Sequence, residues 1–141
     1  MPRWRLFYHV VWATQQRLPL LDDRLAEITR GTIAAVATSH RCLIHAIGIM
    51  PDHVHVAASI PPSVSIAKVM QGFKGASSKR INLAGTSFGE FHWQTEYGAM
   101  SFAEPALPTV VDYVEHQREH HANGTLRPSF EDVGEYLPRN Q

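Results

Sequence analysis

Apolar positions change their spacing along the chain, and the changes predict alternating strands and helices. Between Arg5 and Thr14 (RLFYHVVWAT), β-branched and aromatic side chains crowd together until a polar stretch and Pro19 stop them, which predicts a first strand. Asp22 or Asp23 then offers an N-cap to a helix whose apolar residues Leu25, Ile28, Ile33 and Val36 recur at roughly helical spacing up to Ser39. Two short apolar runs follow, Cys42 to Met50 and His53 to Ile60. Pro51-Asp52 between them signals a tight strand connection. After Pro61-Pro62, Ser63 or Ser65 opens a second helix with Ile66, Val69, Met70 and Phe73 at i, i+3, i+4 and i+7, extending toward Leu83.

The stretch from Gly85 to Gly98 has no period and reads as a loop carrying Phe91, Trp93 and Tyr97; Gly98 to Phe102 is a short fourth strand. Beyond Pro105 or Pro108, Val110, Tyr113, Val114 and Gln117 share one helical face in a helix running to Gly124. The tail from Thr125 is expected to be irregular and to pack only locally. The order β-α-β-β-α-β-α predicts an α+β fold, a ferredoxin-like split βαβ with an antiparallel sheet and an extra C-terminal helix, as one domain over residues 1–141. Folds of this kind cover one sheet face with helices and leave the other for a ligand, a partner or a further helix.

Composition narrows this picture. With 44% apolar and 18% charged residues in 141, the chain is globular rather than disordered or fibrous. Thirteen basic and thirteen acidic residues cancel, so binding to a polyanion must come from a local basic face. One is suggested between Ala57 and Gly89, where Lys68, Lys74, Lys79 and Arg80 occur with no acidic residue, and Arg5 adds charge near the first strand. Trp93, Phe91 or Tyr97 would stack unpaired bases beside it, although an ordinary solvated helix carries similar cations. Cys42 is a lone cysteine, and neither a secretory leader nor a membrane span is read in the chain, so a cytoplasmic protein is expected.

Candidate chemistry lies in the histidines. In a strand, His53 and His55 point to one face and Val54 and Val56 to the other, so two imidazoles converge where a divalent metal could be held; a polar surface row has the same pattern. Asp52, offset by one residue, is expected to point away. Four residues apart on the last helix, Tyr113 and Gln117 present a phenol one turn from an amide oxygen, equally readable as a core aromatic beside a solvated Gln. His9 is expected to be a packed or hydrogen-bonded histidine flanking the pair. His116, His120 and His121 are expected to be exposed.

His-x-His in a strand with tyrosine in a later helix resembles the HUH endonucleases that cut single-stranded DNA. More narrowly, MPDHVHV (50–56), SIAKVMQGFKGASSKR (65–80), WQTEYGAMSF (93–102) and YVEHQREHH (113–121) are similar to the single-tyrosine transposases of insertion-sequence 200/605 type and their REP-associated relatives. The resemblance covers about Tyr8 to His121, with the motifs in family order. It implies His53, His55 and Gln117 as metal ligands and favours Mg²⁺, with Mn²⁺ chemically easier for imidazole, and it implies Tyr113 as a nucleophile that forms a 5′-phosphotyrosine. It further implies single-stranded, hairpin-bearing DNA as substrate and a homodimer; Arg5, Lys68, Lys74, Lys79, Arg80 and Trp93 are the expected DNA contacts on the local basic face, and a cytoplasmic protein that meets DNA is expected at the nucleoid. A non-catalytic ferredoxin-like nucleic-acid-binding module and a metallohydrolase using water are the alternatives.

Overall fold

The computed structural model describes residues 4–134. Four strands, β1 (Phe7–Ala13), β2 (Leu43–Met50), β3 (His53–Ser59) and β4 (Gly98–Phe102), form an antiparallel sheet in the order β2-β3-β1-β4. Two long helices, α1 (Asp23–Ser39) and α2 (Ile66–Ala84), connect the strands, and α3 (Leu107–Glu115) and α4 (Gln117–Asn123) follow the last one. This is the split βαβ order read from the pattern of apolar positions, with β1 and β3 central.

The two long helices begin where short polar side chains accept the first free amide groups: Asp22 accepts from Leu25 N and Ser65 from Lys68 N. Strand alternation divides the sheet into two faces. Val10 and Trp12 of β1, with Val54, Val56 and Ala58 of β3, enter the main core beneath Leu25 and Ile33 of α1 and Val69, Met70 and Phe73 of α2. The other face carries Val11, Ala13 and Ala57 beside the histidines. There Ala46 and Ala57 meet Val110 and Val114 of α3, while Val133 closes over Val11 and Ala13.

One continuous last helix was expected, but the chain breaks at His116, which has φ −110° and ψ 34°. A side chain supplies the reason. The Asp112 carbonyl still accepts the helical bond from His116 N at 3.1 Å, but at the next step the Gln117 side-chain amide, rather than its backbone, donates to the Tyr113 carbonyl at 2.9 Å.

Local packing was expected of the tail as well, yet Val133 is buried against β1, and the Asp132 carbonyl lies over Gly98 of β4. At Gly48 the backbone of α3 approaches β2 so closely that an added Cβ would stand 2.1 Å from the Val114 carbonyl oxygen. Gly48→Ala should therefore push α3 outward and cost about 1–3 kcal/mol, read as a lower midpoint in denaturant unfolding.

Candidate metal and tyrosine site

His53 and His55 share the sheet face opposite α1 and α2, as strand alternation predicts, and both are buried there. Each ring is held at Nδ1 by a different partner. His53 Nδ1 lies 2.6 Å from Asp52 Oδ1, and His55 Nδ1 lies 2.9 Å from His9 Nε2 on β1. Asp52 was expected to point away, but it belongs to the tight turn rather than the strand, so alternation does not govern it. Hydrogen bonding from His53 holds its carboxyl below the ordinary range, and Arg17, 3.6 Å away, adds to this. His9 is buried and hydrogen-bonded, as expected.

Opposite the pair stands Tyr113 of α3, only 1% exposed, its ring edge-on to His55 at 6.0 Å between centroids. The nucleophile expected from the sequence and the two imidazoles therefore meet within one chain. Tyr113 Oη accepts from the Arg127 backbone N–H at 3.1 Å, and burial pushes its phenol above the ordinary 10. Gln117 is also buried; its Oε1 has no hydrogen-bond partner.

Two residues outside the expected set complete the site. Glu131, in the chain after a short 3-10 turn at Pro128–Phe130, brings Oε2 to 2.8 Å from His55 Nε2 and Oε1 to 4.0 Å from His53 Nε2. His121, expected to be exposed, lies 3.3 Å from Glu131 Oε1 with its ring 5.1 Å from His53. His120 stacks on Tyr113 at 4.6 Å rather than facing only solvent. His121 continues the i, i+4, i+8 stripe from Tyr113 through Gln117, a spacing that would have found it. No periodicity points to Glu131.

The polar atoms fit a cation. Nε2 of His53, His55 and His121, Oε1 of Gln117 and both oxygens of Glu131 are buried without a hydrogen-bond partner. The 2.8 Å contact of His55 with Glu131 lacks the alignment of a bond. One donor atom each from His53, His55 and Glu131 lie within 4.8 Å of one another, near what an ion with bonds of roughly 2 Å would gather. So many unpaired buried groups would be costly, and an ion held by His53, His55 and Glu131 would satisfy the donor atoms of those three residues. Burial raises the Glu131 carboxyl, but His55, His53 and His121 outweigh it and hold it below the ordinary value. Burial lowers the His55 and His121 imidazoles, keeping them available as neutral donors.

The cationic residues are less concentrated. Lys68, Lys79 and Arg80 are exposed on α2, in the layer on the opposite face of the sheet from the histidines. Lys74 instead donates to the Thr95 and Glu96 carbonyls at 2.8 and 3.2 Å, tying α2 to the loop. Arg5 pairs with Glu104 at 2.7 Å. Trp93 is half-buried, donating to Ser77 Oγ at 2.9 Å and packing edge-on to Trp12, and Tyr97 packs against the same core. Phe91 is fully buried and has no free face for a base.

Burial lowers His9 from the ordinary 6.5 to about 3, with the neighbouring His55 adding to the effect. An unfolded chain then takes up this proton before the folded one does, so stability falls as pH drops from about 6.5 toward 3. This group alone contributes up to about 1.4 kcal/mol per pH unit, and His55 acts with the same sign. Denaturant midpoints should therefore decline steeply between pH 7 and pH 4, and His9→Phe should flatten the decline; an unchanged slope would contradict this assignment.

Known proteins share both the sequence and the fold. A relative is the ISDra2 transposase TnpA of Deinococcus radiodurans, 25% identical over 121 residues that cover 82% of this chain and 86% of that protein. A crystal structure of a candidate transposase from D. radiodurans R1 is 28% identical, has a TM-score of 0.63, and is matched over 83% of this chain and 98% of its own. The structure of a REP-associated tyrosine transposase bound to a REP hairpin shares the fold at TM-score 0.64 and 17% identity, over 86% of this chain and 74% of that one. The family described as IS200-like transposases matches residues 2–117, which contain both β3 histidines, Tyr113 and Gln117, and the chain belongs to that family.

Proposed function

We propose that this transposase nicks and rejoins single-stranded DNA through a covalent phosphotyrosine formed by Tyr113. The observation that supports it best is the meeting of the Tyr113 ring with the His53 and His55 pair inside one subunit, 6.0 Å from His55. In the nicking step Tyr113 Oη forms a bond to the phosphorus of a phosphodiester, and the bond from phosphorus to the 3′ oxygen breaks. The 3′ oxygen leaves with the electron pair and takes a proton from water to become a free 3′-hydroxyl, and the 5′ end stays on the tyrosine. A second 3′-hydroxyl reverses the step on a new strand, so the ester's bond energy is kept and no nucleotide cofactor is consumed.

Tyr113 is protonated at rest because burial raises its pKa, so its proton must leave as the bond to phosphorus forms. Glu131 is the carboxylate whose charge acts on the phenol and on His55; it is placed near enough to receive that proton, although its lowered pKa makes it a weak base. A divalent ion, Mg²⁺ or Mn²⁺, held by His53, His55 and Gln117 would polarise the scissile phosphate. Lys68, Lys79 and Arg80 supply phosphate contacts, with Arg5, Lys74 and Trp93 as secondary ones. The substrate is hairpin-bearing single-stranded DNA, by analogy with the hairpin bound by the fold relative. The chain acts as one nuclease domain, as a homodimer in the cytoplasm at the nucleoid, with each tyrosine serving its own subunit's histidines. Among the described residues no helix is long and apolar enough to cross a membrane.

Incubation with single-stranded hairpin oligonucleotides and Mg²⁺ or Mn²⁺ should give a protein–DNA adduct that survives denaturation. Tyr113→Phe should abolish the adduct and the nick while binding persists. Cutting by the Phe variant would exclude Tyr113 as nucleophile. Binding without any nick by the unaltered chain would favour a non-catalytic module of the same fold, and cutting without an adduct would favour water as nucleophile. Lys68→Ala and Lys79→Ala should each weaken DNA binding and lower the slope of log affinity against log salt by about 0.7.

A further inference from the structure

His9 has no part in the proposed chemistry, yet it is almost fully buried on the central strand in direct contact with His55. Register puts it there: His9 pairs with Ala57 and Val11 with His55, which makes His9 and His55 diagonal neighbours on the same sheet face. Their ring planes lie within 13° of each other and the nitrogens are 2.9 Å apart, the near-coplanar arrangement that an N–H···N bond favours. Phe130 packs on His9, 5.1 Å away.

Two imidazole nitrogens facing each other share one proton, and the position of that proton decides which atom of His55 is free. Nε2 of His55 faces Glu131, in the space where Nε2 of His53 and of His121 are also unpartnered. To give an ion a lone pair there, His55 must carry its proton on Nδ1, and the acceptor at Nδ1 is His9 Nε2. His53 meets the same requirement through a carboxylate, Asp52, on the half-buried turn beside Arg17. A carboxylate at position 9 would be a charge buried deep in the sheet. Neutral imidazole accepts the proton without that cost, and unlike a carboxylate it can also donate when Nε2 of His55 carries the proton toward Glu131.

We propose that His9 is a positioning residue that holds His55 in the Nδ1–H tautomer and so presents Nε2 of His55 to the ion of the tyrosine site. The inference rests on the metal reading given above. Binding of Mn²⁺ to the DNA-free protein, followed by electron paramagnetic resonance, tests it apart from activity. His9→Phe keeps an aromatic ring without an acceptor and should weaken Mn²⁺ binding about ten- to a hundredfold; His9→Gln restores an acceptor without the ring and should recover most of the loss.

In the unaltered Zn²⁺-loaded protein, long-range ¹H–¹⁵N correlation should find the His55 proton on Nδ1, a readout that needs no substitution. Equal Mn²⁺ affinity in His9→Phe, or a Gln variant as weak as the Phe variant, would overturn the proposal and leave the metal site standing. A His55 proton on Nε2 in the loaded protein would do the same. Failure of the unaltered chain to bind any divalent ion would remove the metal reading and this inference together.

Discussion

β3 is buried at every residue from His53 to Ser59, and this constrains what the rest of the molecule can do. A central strand hydrogen-bonded to β2 and β1 can hide its even residues, Val54, Val56 and Ala58, in a conventional apolar core. Its odd residues include two imidazoles that are also hidden, and a buried imidazole needs a partner at each nitrogen or pays heavily for the loss of water. At Nδ1 the partners are present, from a turn and from the neighbouring strand. At Nε2 no hydrogen bond is made, so the strand leaves two lone pairs in one buried space.

What surrounds that space comes from backbone that is not regular. α3 is pulled against β2 by the absent side chain of Gly48, which brings Tyr113 over the sheet face. The break at His116 then turns the chain so that α4 places His120 on Tyr113 and His121 beside Glu131. Glu131 and Val133 hold the last described segment over the histidines and β1. The Gln117 side chain that bonds the Tyr113 carbonyl in place of the backbone therefore accompanies the helix break that sets His120 and His121 beside the histidine pair.

The sequence made the strands and long helices readable because those depend on local apolar spacing. It also made β3's facing pair readable, since alternation needs no tertiary knowledge. Tyr113 and Gln117 were readable as a stripe, although only the family resemblance gave them roles. The break at His116 escaped because it depends on which donor reaches a carbonyl, a competition that periodicity does not report. Glu131 escaped because its position follows from the close approach of the Asp132 carbonyl to Gly98 and from Phe130 packing on Tyr113, contacts with residues 17 or more positions away. Phe91 and Lys74 looked available because composition does not show that one is core and the other is bonded to loop carbonyls.

Charge gives the final step. The neutral imidazoles His9, His55 and His121 contribute no positive charge at neutral pH, while Asp52 and Glu131 both have lowered pKa values and are ionised. The exposed cations of α2 lie on the other side of the sheet, and Arg17 is the cation paired with Asp52 at 3.6 Å. A phosphodiester brought to Tyr113 would thus meet the Glu131 carboxylate beside the histidines, with Arg127 over the Phe130 ring as the nearby cation. A divalent ion held beside the β3 histidines would add positive charge to the site and satisfy the Nε2 lone pairs that β3 leaves unpaired. The same buried lone pairs that are a burden to the folded strand are thus what a cation serving the proposed reaction would bind.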